Sequence, residues 1–305
     1  MNDTQAQVIG LWRRIRRRIA GASLSLDTVA AQEAELTAVE ADLPAYLWAY
    51  REVLGPWLAS AVAAGDLADQ LVRWLHRHNQ FLYATAQTRA ELAQAYAQSL
   101  SDTAELLAEA RSQDEVVEGL AELLTEHHAR LALALKVAFG TRLRDTVQAE
   151  YSPGLQFAVL GLDRVETPVL DVGCGASGAL VAHLRAAGIE AVGMDRDAQA
   201  PGTAAGDWLT QDYGRDIWGT VISHLGFSLH FLHHHMAGHD LAYDYARAYR
   251  RILASLKVGG RFAYAPALPF VEAVLGEGYS VERRNFDAYG GSLPIESAAV
   301  VTRLS

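Results

Sequence analysis

Cysteine is almost missing from this chain. Cys174 is the only one in 305 residues, which excludes an internal disulfide and a cysteine-based zinc site. Long apolar runs are missing too, since none reaches the roughly 18 residues of a membrane span. The N-terminus carries charges where a secretory signal has its apolar region. These absences predict a cytoplasmic protein with no membrane partner. An excess of basic residues is also lacking. The formal net charge is −10; residues 1–150 hold 14 basic and 20 acidic side chains, and residues 151–305 hold 12 and 16. Binding a phosphate backbone depends on basic side chains, so this balance argues against a nucleic-acid partner. The chain has no convincing repeat and no low-complexity linker.

What is present is length and apolar content. The 305 residues, half of them hydrophobic, suffice for two ordinary domains with a substantial core. Residues 1–150 read as an all-helical domain, and residues 151–305 as a second domain of a different kind. The first carries one dense basic cluster, Arg13, Arg14, Arg16, Arg17 and Arg18, in a helical pattern over residues 4–20. That cluster is either an interaction surface or the solvated face of a terminal helix with Trp12, Ile15 and Ile19 turned inward. From 27 to 150 the periodicity is helical and rich in Ala, Leu, Glu and Gln. Pro44 and Gly55-Pro56 divide its first part, and Gly65-Asp66 opens a run over 66–98. Ser112 with Glu115 forms a capping box, and Gly140 ends the helix it opens. His76, His78, Asn79 and Tyr83 fall within two turns of one helix, where they either line a site or sit at a core edge.

The second domain begins at Tyr151-Ser152-Pro153, where Pro153 at a first helical position with Ser152 as cap is good start chemistry. Its central stretch is Val169-Leu170-Asp171-Val172-Gly173-Cys174-Gly175-Ala176-Ser177-Gly178. Four residues with one acid among them suit a buried parallel strand. The glycines suit a tight turn, a close approach of ligand to backbone, and a helix seated close on the sheet. G-x-G-x-x-G alone also fits dinucleotide-binding proteins. Here, however, Asp171 precedes the loop; its carboxylate would repel a pyrophosphate but attract an ammonium and a sulfonium. The next strand pattern, Ala191-Val192-Gly193-Met194, ends in Asp195, placed to accept both hydroxyls of a ribose. Leu256-Lys257-Val258-Gly259-Gly260-Arg261-Phe262 reads as a turn followed by a strand.

These three pieces, in this order and spacing, resemble the class I S-adenosylmethionine-dependent methyltransferases over about half the chain. The resemblance implies an α/β, Rossmann-like fold with a mostly parallel seven-stranded sheet in the order 3-2-1-4-5-7-6, preceded by the all-α domain. It implies S-adenosyl-L-methionine as cofactor. The loop from Asp171 to Gly178, including Gly173, Cys174 and Gly175, would hold the methionine end. Asp195, followed by Arg196, would hold the ribose, and Asp207 and Trp208 would flank the adenine. Tyr151 would pass beside the loop, or simply pack between domains. The helical domain would act as a cap over the acceptor site, as the surface of a homodimer, or both. Residues 197–206 are poor in helix signal, so the second crossover helix is expected to be short or missing.

Ligands meet residues just past the carboxyl ends of such strands. That places Ser223, His224 and Phe227-Ser228, then His230, His233, His234 and His235, where a methyl acceptor would lie. Methyl transfer is an in-line displacement, so alignment matters most. An oxygen acceptor or a protonated amine must also lose a proton, a task suited to histidine. His224 is the first candidate and His230 the second; the alternative for either is packing or helix capping. His230 and His234 share a helix face with His239 or Asp240 nearby, but without an H-E-x-x-H pattern no metal is assigned. Methylation at carbon 5 of a pyrimidine needs a cysteine beside the base, and Cys174 would lie against the cofactor instead. The Asn/Asp-Pro-Pro-aromatic signature of amino-group methyltransferases acting on adenine, cytosine or glutamine is also absent, because Ser223-His224-Leu225-Gly226 stands there. The reading is a methyltransferase acting on oxygen or nitrogen of a small molecule. An RNA or protein methyltransferase, an enzyme transferring another group from the same cofactor, and a non-catalytic scaffold stand as alternatives.

Overall fold

The apolar strand Val169–Val172 is completely buried and carries the second of two compact units, residues 1–148 and 149–305. The computed structural model describes residues 42–140, 151–285 and 297–305; the arginine cluster and the helix expected over 4–20 lie outside them. Among the described residues, no helix is long and apolar enough to cross a membrane.

The first unit's described residues form the helices α1 (Leu43–Ala49), α2 (Arg51–Leu58), α3 (Ala61–His78), α4 (Ala86–Glu109) and α5 (Gln113–Phe139). Their apolar faces meet in one core that includes Leu54, Leu75, Leu92 and Val116. Gly55-Pro56 lies inside α2 rather than between helices. The run expected over 66–98 is two helices. Asn79 is extended and its Oδ1 accepts from Phe81 N–H (2.9 Å), and Thr85 then caps α4 by accepting from Thr88 N–H (3.0 Å). His76 is therefore helical and buried, while Asn79 and Tyr83 fall in the connection. His78 Nδ1 pairs with the Trp74 carbonyl one turn back (3.0 Å). At the next boundary Ser112 Oγ accepts from Glu115 N–H (3.3 Å), and Glu115 Oε2 accepts from Arg111 N–H (2.8 Å). This is a capping box displaced by one residue.

The second unit runs α6 (Pro153–Leu160), β1 (Val169–Val172), α7 (Ala179–Ala186), β2 (Ala191–Asp195), β3 (Thr203–Ala205), β4 (Trp218–His224), α8 (Phe227–Met236), α9 (Leu241–Ser255), β5 (Leu256–Ala265), α10 (Pro269–Glu272), β6 (Tyr279–Asn285) and β7 (Ser297–Arg303). The sheet order is β3-β2-β1-β4-β5-β7-β6. The pairs from β3 through β5 are parallel, and β7 is antiparallel to both β5 and β6. That is the expected order, with the antiparallel character confined to β7. The strand expected at Arg261 begins five residues earlier, because Leu256 already pairs with Trp218 before the register shifts. No helix covers 196–202, so β2 passes to β3 through turns.

Candidate functional site

The carboxyl ends of β1, β2 and β4 converge on the glycine loop, and backbone approach decides the geometry. Gly173 (φ +89°) and Gly175 (φ +69°) occupy the left-handed region that side-chained residues avoid. A Cβ on Gly173 would lie 3.0 Å from Gly226 Cα, and one on Gly226 would lie 3.0 Å from the Val172 carbonyl oxygen. The turn after β1 and the turn after β4 therefore touch backbone to backbone. Between His224 and Gly226, Leu225 also takes a positive φ of 56°, a conformation that costs a non-glycine residue about 1–3 kcal/mol. It is held by Leu225 N–H donating to the Ala265 carbonyl at the end of β5 (2.9 Å).

Two carboxylates stand at this loop. Asp171 is buried, and desolvation first, then the charge of Asp195, raise its pKa from 3.8 to about 7. Asp195 ends β2; its Oδ2 accepts from Gly175 N–H (3.3 Å) and its Oδ1 from Asp197 N–H (3.1 Å). Asp207 Oδ1 accepts from Leu209 N–H (2.9 Å). Trp208 is buried and meets His230 edge to face at 4.9 Å and Phe227 at 6.4 Å. The Arg196 guanidinium lies 5.8 Å from the Trp208 ring. Trp208 Cζ2 also lies 3.4 Å from where a Gly173 Cβ would be, so the indole reaches back over the loop. Its Nε1 is buried with no hydrogen-bond partner among the described residues.

His224 ends β4. It is 8% exposed, and neither ring nitrogen has a hydrogen-bond partner among the described residues. Tyr151 meets it edge-on at 5.0 Å. Burial lowers the His224 pKa from 6.5 to about 4, and burial raises that of the Tyr151 phenol. Near neutral pH the imidazole is thus uncharged and the phenol protonated.

Three residues named from the sequence are engaged within the fold. The Ser223 side chain is fully buried, and its Oγ accepts from Phe227 N–H (2.9 Å), holding the start of α8. Cys174 is turned toward the sheet: a Cβ on Gly193 of β2 would lie 2.8 Å from its Sγ. His230 is buried on α8 against Trp208 and Tyr245, a packing position behind the indole.

The rim after β5 rests on a buried residue that periodicity did not reveal. Glu272 Oε1 accepts from Tyr264 Oη (2.9 Å) and from Leu268 N–H, and its Oε2 accepts from Arg283. Ser228 Oγ donates to the Ala265 carbonyl (2.7 Å), tying the same rim to α8. Only the glutamate's isolation on a short helix after two prolines hints at this. A cleft of about 660 Å³, lined in part by Arg164, Glu166, Lys257 and Arg261, opens at the amino ends of the strands. Open parallel sheets bind their ligands at the carboxyl ends, so this cleft is not the site described above.

The sequence matches no protein-family model and no curated protein in the comparisons made. Solved structures are similar in part. TrmN from Thermus thermophilus is 18% identical over 59% of this chain and 67% of its own, with a TM-score of 0.36. The glycopeptide N-methyltransferase MtfA, complexed with S-adenosyl-L-homocysteine, is 16% identical over 52% and 74%, with a TM-score of 0.28. The CcbJ methyltransferase from Streptomyces caelestis is 15% identical over 52% and 74%, with a TM-score of 0.27.

Proposed function

We propose that residues 149–305 form an S-adenosyl-L-methionine-dependent methyltransferase acting on an oxygen or nitrogen of a small molecule. The observation that carries this reading is the union of a glycine loop bonded to Asp195 with His224 at the adjoining end of β4, buried and with no hydrogen-bond partner among the described residues. The donor set fits the cofactor's charges. Asp195 offers an acceptor, and Asp171, which burial raises to about 7, gives up its proton when an ammonium or sulfonium lies beside it; the Trp208 ring with Asp207 offers an aromatic surface and an acceptor beside it. Asp195 would hold the ribose.

When bound, the cofactor supplies a methyl group on a positively charged sulfur. The protein's task is then alignment. A neutral His224 accepts a hydrogen bond from the acceptor's O–H or N–H and so aims its lone pair. With a pKa of about 4 it is a weak base that takes the acceptor's proton only as the incoming methyl group makes the acceptor acidic, and then releases it to solvent, so orientation is the larger part of its role. The small-molecule reading rests on the net charge of −10, which disfavours a polyanionic substrate.

Calorimetric titration with S-adenosylmethionine, S-adenosylhomocysteine and NAD tests the proposal. We expect binding of the first two and none of NAD. Asp195→Ala should weaken binding by about 1–3 kcal/mol through the hydrogen bond to the ribose that it removes. Asp195→Asn keeps an acceptor for Gly175 N–H and should lose less. Binding of NAD alone, or of no nucleoside, would sink the reading. Release of methylthioadenosine in place of S-adenosylhomocysteine during turnover would show transfer of a different group.

A further inference from the structure

We propose that His233, His234 and His239 form a binding site for one divalent transition-metal ion of the zinc class, separate from the cofactor loop. The local chain builds it. His233 and His234 close the last turn of α8, whose end is sealed by Ala237 N–H to the His233 carbonyl (3.1 Å) and Gly238 N–H to the His235 carbonyl (3.1 Å). Gly238, at φ +65°, reverses the chain. His239 N–H then bonds the His234 carbonyl (3.0 Å), and its side chain returns over the helix end. Consecutive helical residues point roughly 100° apart, so His233 and His234 share a target only because His239 closes the gap between them.

The distances suit an ion. One ligand nitrogen from each histidine lies within 4.8 Å of the other two. Nδ1 of His234 and Nδ1 of His239 share a hydrogen bond at 3.0 Å, whose proton a bound ion displaces. Zinc binds imidazole at about 2.0–2.1 Å, so two ligands of a tetrahedral ion stand about 3.4 Å apart. The pair at 3.0 Å opens slightly and the wider separations, up to 4.8 Å, close as the half-buried His233 and His239 rings turn about a stationary His234. His234 is fully buried, and its ring stacks on Tyr245 at 5.4 Å and 22°, which fixes its plane. His233 and His239 are half-buried, leaving a way in.

The donor set selects the metal. Three imidazoles with no carboxylate suit zinc, copper or nickel and not magnesium or calcium. Three protein ligands leave a fourth position for water or a solute. The set also corrects the pairing that helix spacing suggests, since His230 is packed against Trp208 and is not a member. His235, the third of the consecutive histidines, stacks on Phe270 at 3.7 Å and is not a member either.

The test is a titration of the untagged, chelator-stripped full chain with zinc chloride, with metal content measured after desalting. We expect one equivalent retained, at micromolar affinity or tighter, and no response to magnesium chloride. His239→Asn, and His233→Asn with His239→Asn together, should weaken binding at least tenfold, while His235→Asn should leave it unchanged. These variants spare His234, whose burial makes its replacement a folding risk. Cobalt(II) loaded into the unaltered chain gives a reading free of mutation, with visible absorption of a nitrogen-ligated, tetrahedral ion expected. Absence of stoichiometric zinc, absence of that absorption, or wild-type affinity in the double variant would each overturn the site. None of these outcomes depends on whether the chain binds an adenosyl cofactor.

Discussion

Asp171 and His224 are both buried at the carboxyl end of the sheet, and burial moves their proton affinities in opposite directions. Asp171 is raised from 3.8 to about 7. The folded state therefore holds its proton more tightly, and the stability linked to it is lost as pH rises from about 4 through 7. His224 is lowered from 6.5 to about 4. The folded state resists protonating it, so the stability linked to it is complete above 6.5 and lost as pH falls toward 4. The two slopes oppose each other between about pH 4 and 6.5, so the wild-type curve alone separates neither. Single variants do. Relative to wild type, Asp171→Asn should gain stability as pH rises from 4 to 8, and His224→Gln should gain it as pH falls from 6.5 to 4. Denaturant midpoints across that range give the answer, and parallel curves for wild type and variant would remove the corresponding assignment.

At the scale of elements, the site depends on two turns that approach closer than a side chain permits. Gly226 would place a Cβ 3.0 Å from the Val172 carbonyl oxygen, 3.1 Å from Gly173 Cα and 3.2 Å from Ser223 Oγ. Two of these are backbone atoms, which cannot rotate aside. Gly226→Ala must therefore part the β1 loop from the β4 turn, at about the 1–3 kcal/mol of an overpacked core. Because His224 and the loop ride on the two turns, cofactor affinity should fall along with the melting temperature. Gly276→Ala is the control, since a Cβ there meets nothing within 4 Å, and it should leave affinity unchanged. Equal affinity for Gly226→Ala and wild type would mean that the contact between the turns does not shape the site.

Across the whole molecule, the sequence is legible where one pattern answers to one physical cause. The strand before the glycines, the Asp195 that ends β2 and the missing helix over 196–202 follow from apolar runs and turn residues, and each is local. The roles of Cys174 and His230 are not legible, because direction along a loop or helix is set by partners far away in sequence, Gly193 and Trp208; that of Ser223 is not legible because its partner, Phe227 N–H, comes within reach only through the turn at Leu225 and Gly226. The break at Asn79 was missed because helical periodicity continues across it. The histidine cluster was legible as composition but not as membership, which the turn at Gly238 decides. The division into residues 1–148 and 149–305 carries the last prediction. Each unit has its own buried cluster, so each is expected to melt cooperatively on its own account. A ligand seated within residues 149–305 stabilises the unit that holds it. At a hundredfold excess over Kd that stabilisation is about 2.7 kcal/mol, or about 5–10 °C for a unit of this size. Scanning calorimetry with S-adenosylhomocysteine should therefore move one transition by that amount and leave the other where it was. If both move together, the units melt as one. If neither moves, the loop from Asp171 to Gly178 does not hold the ligand proposed for it.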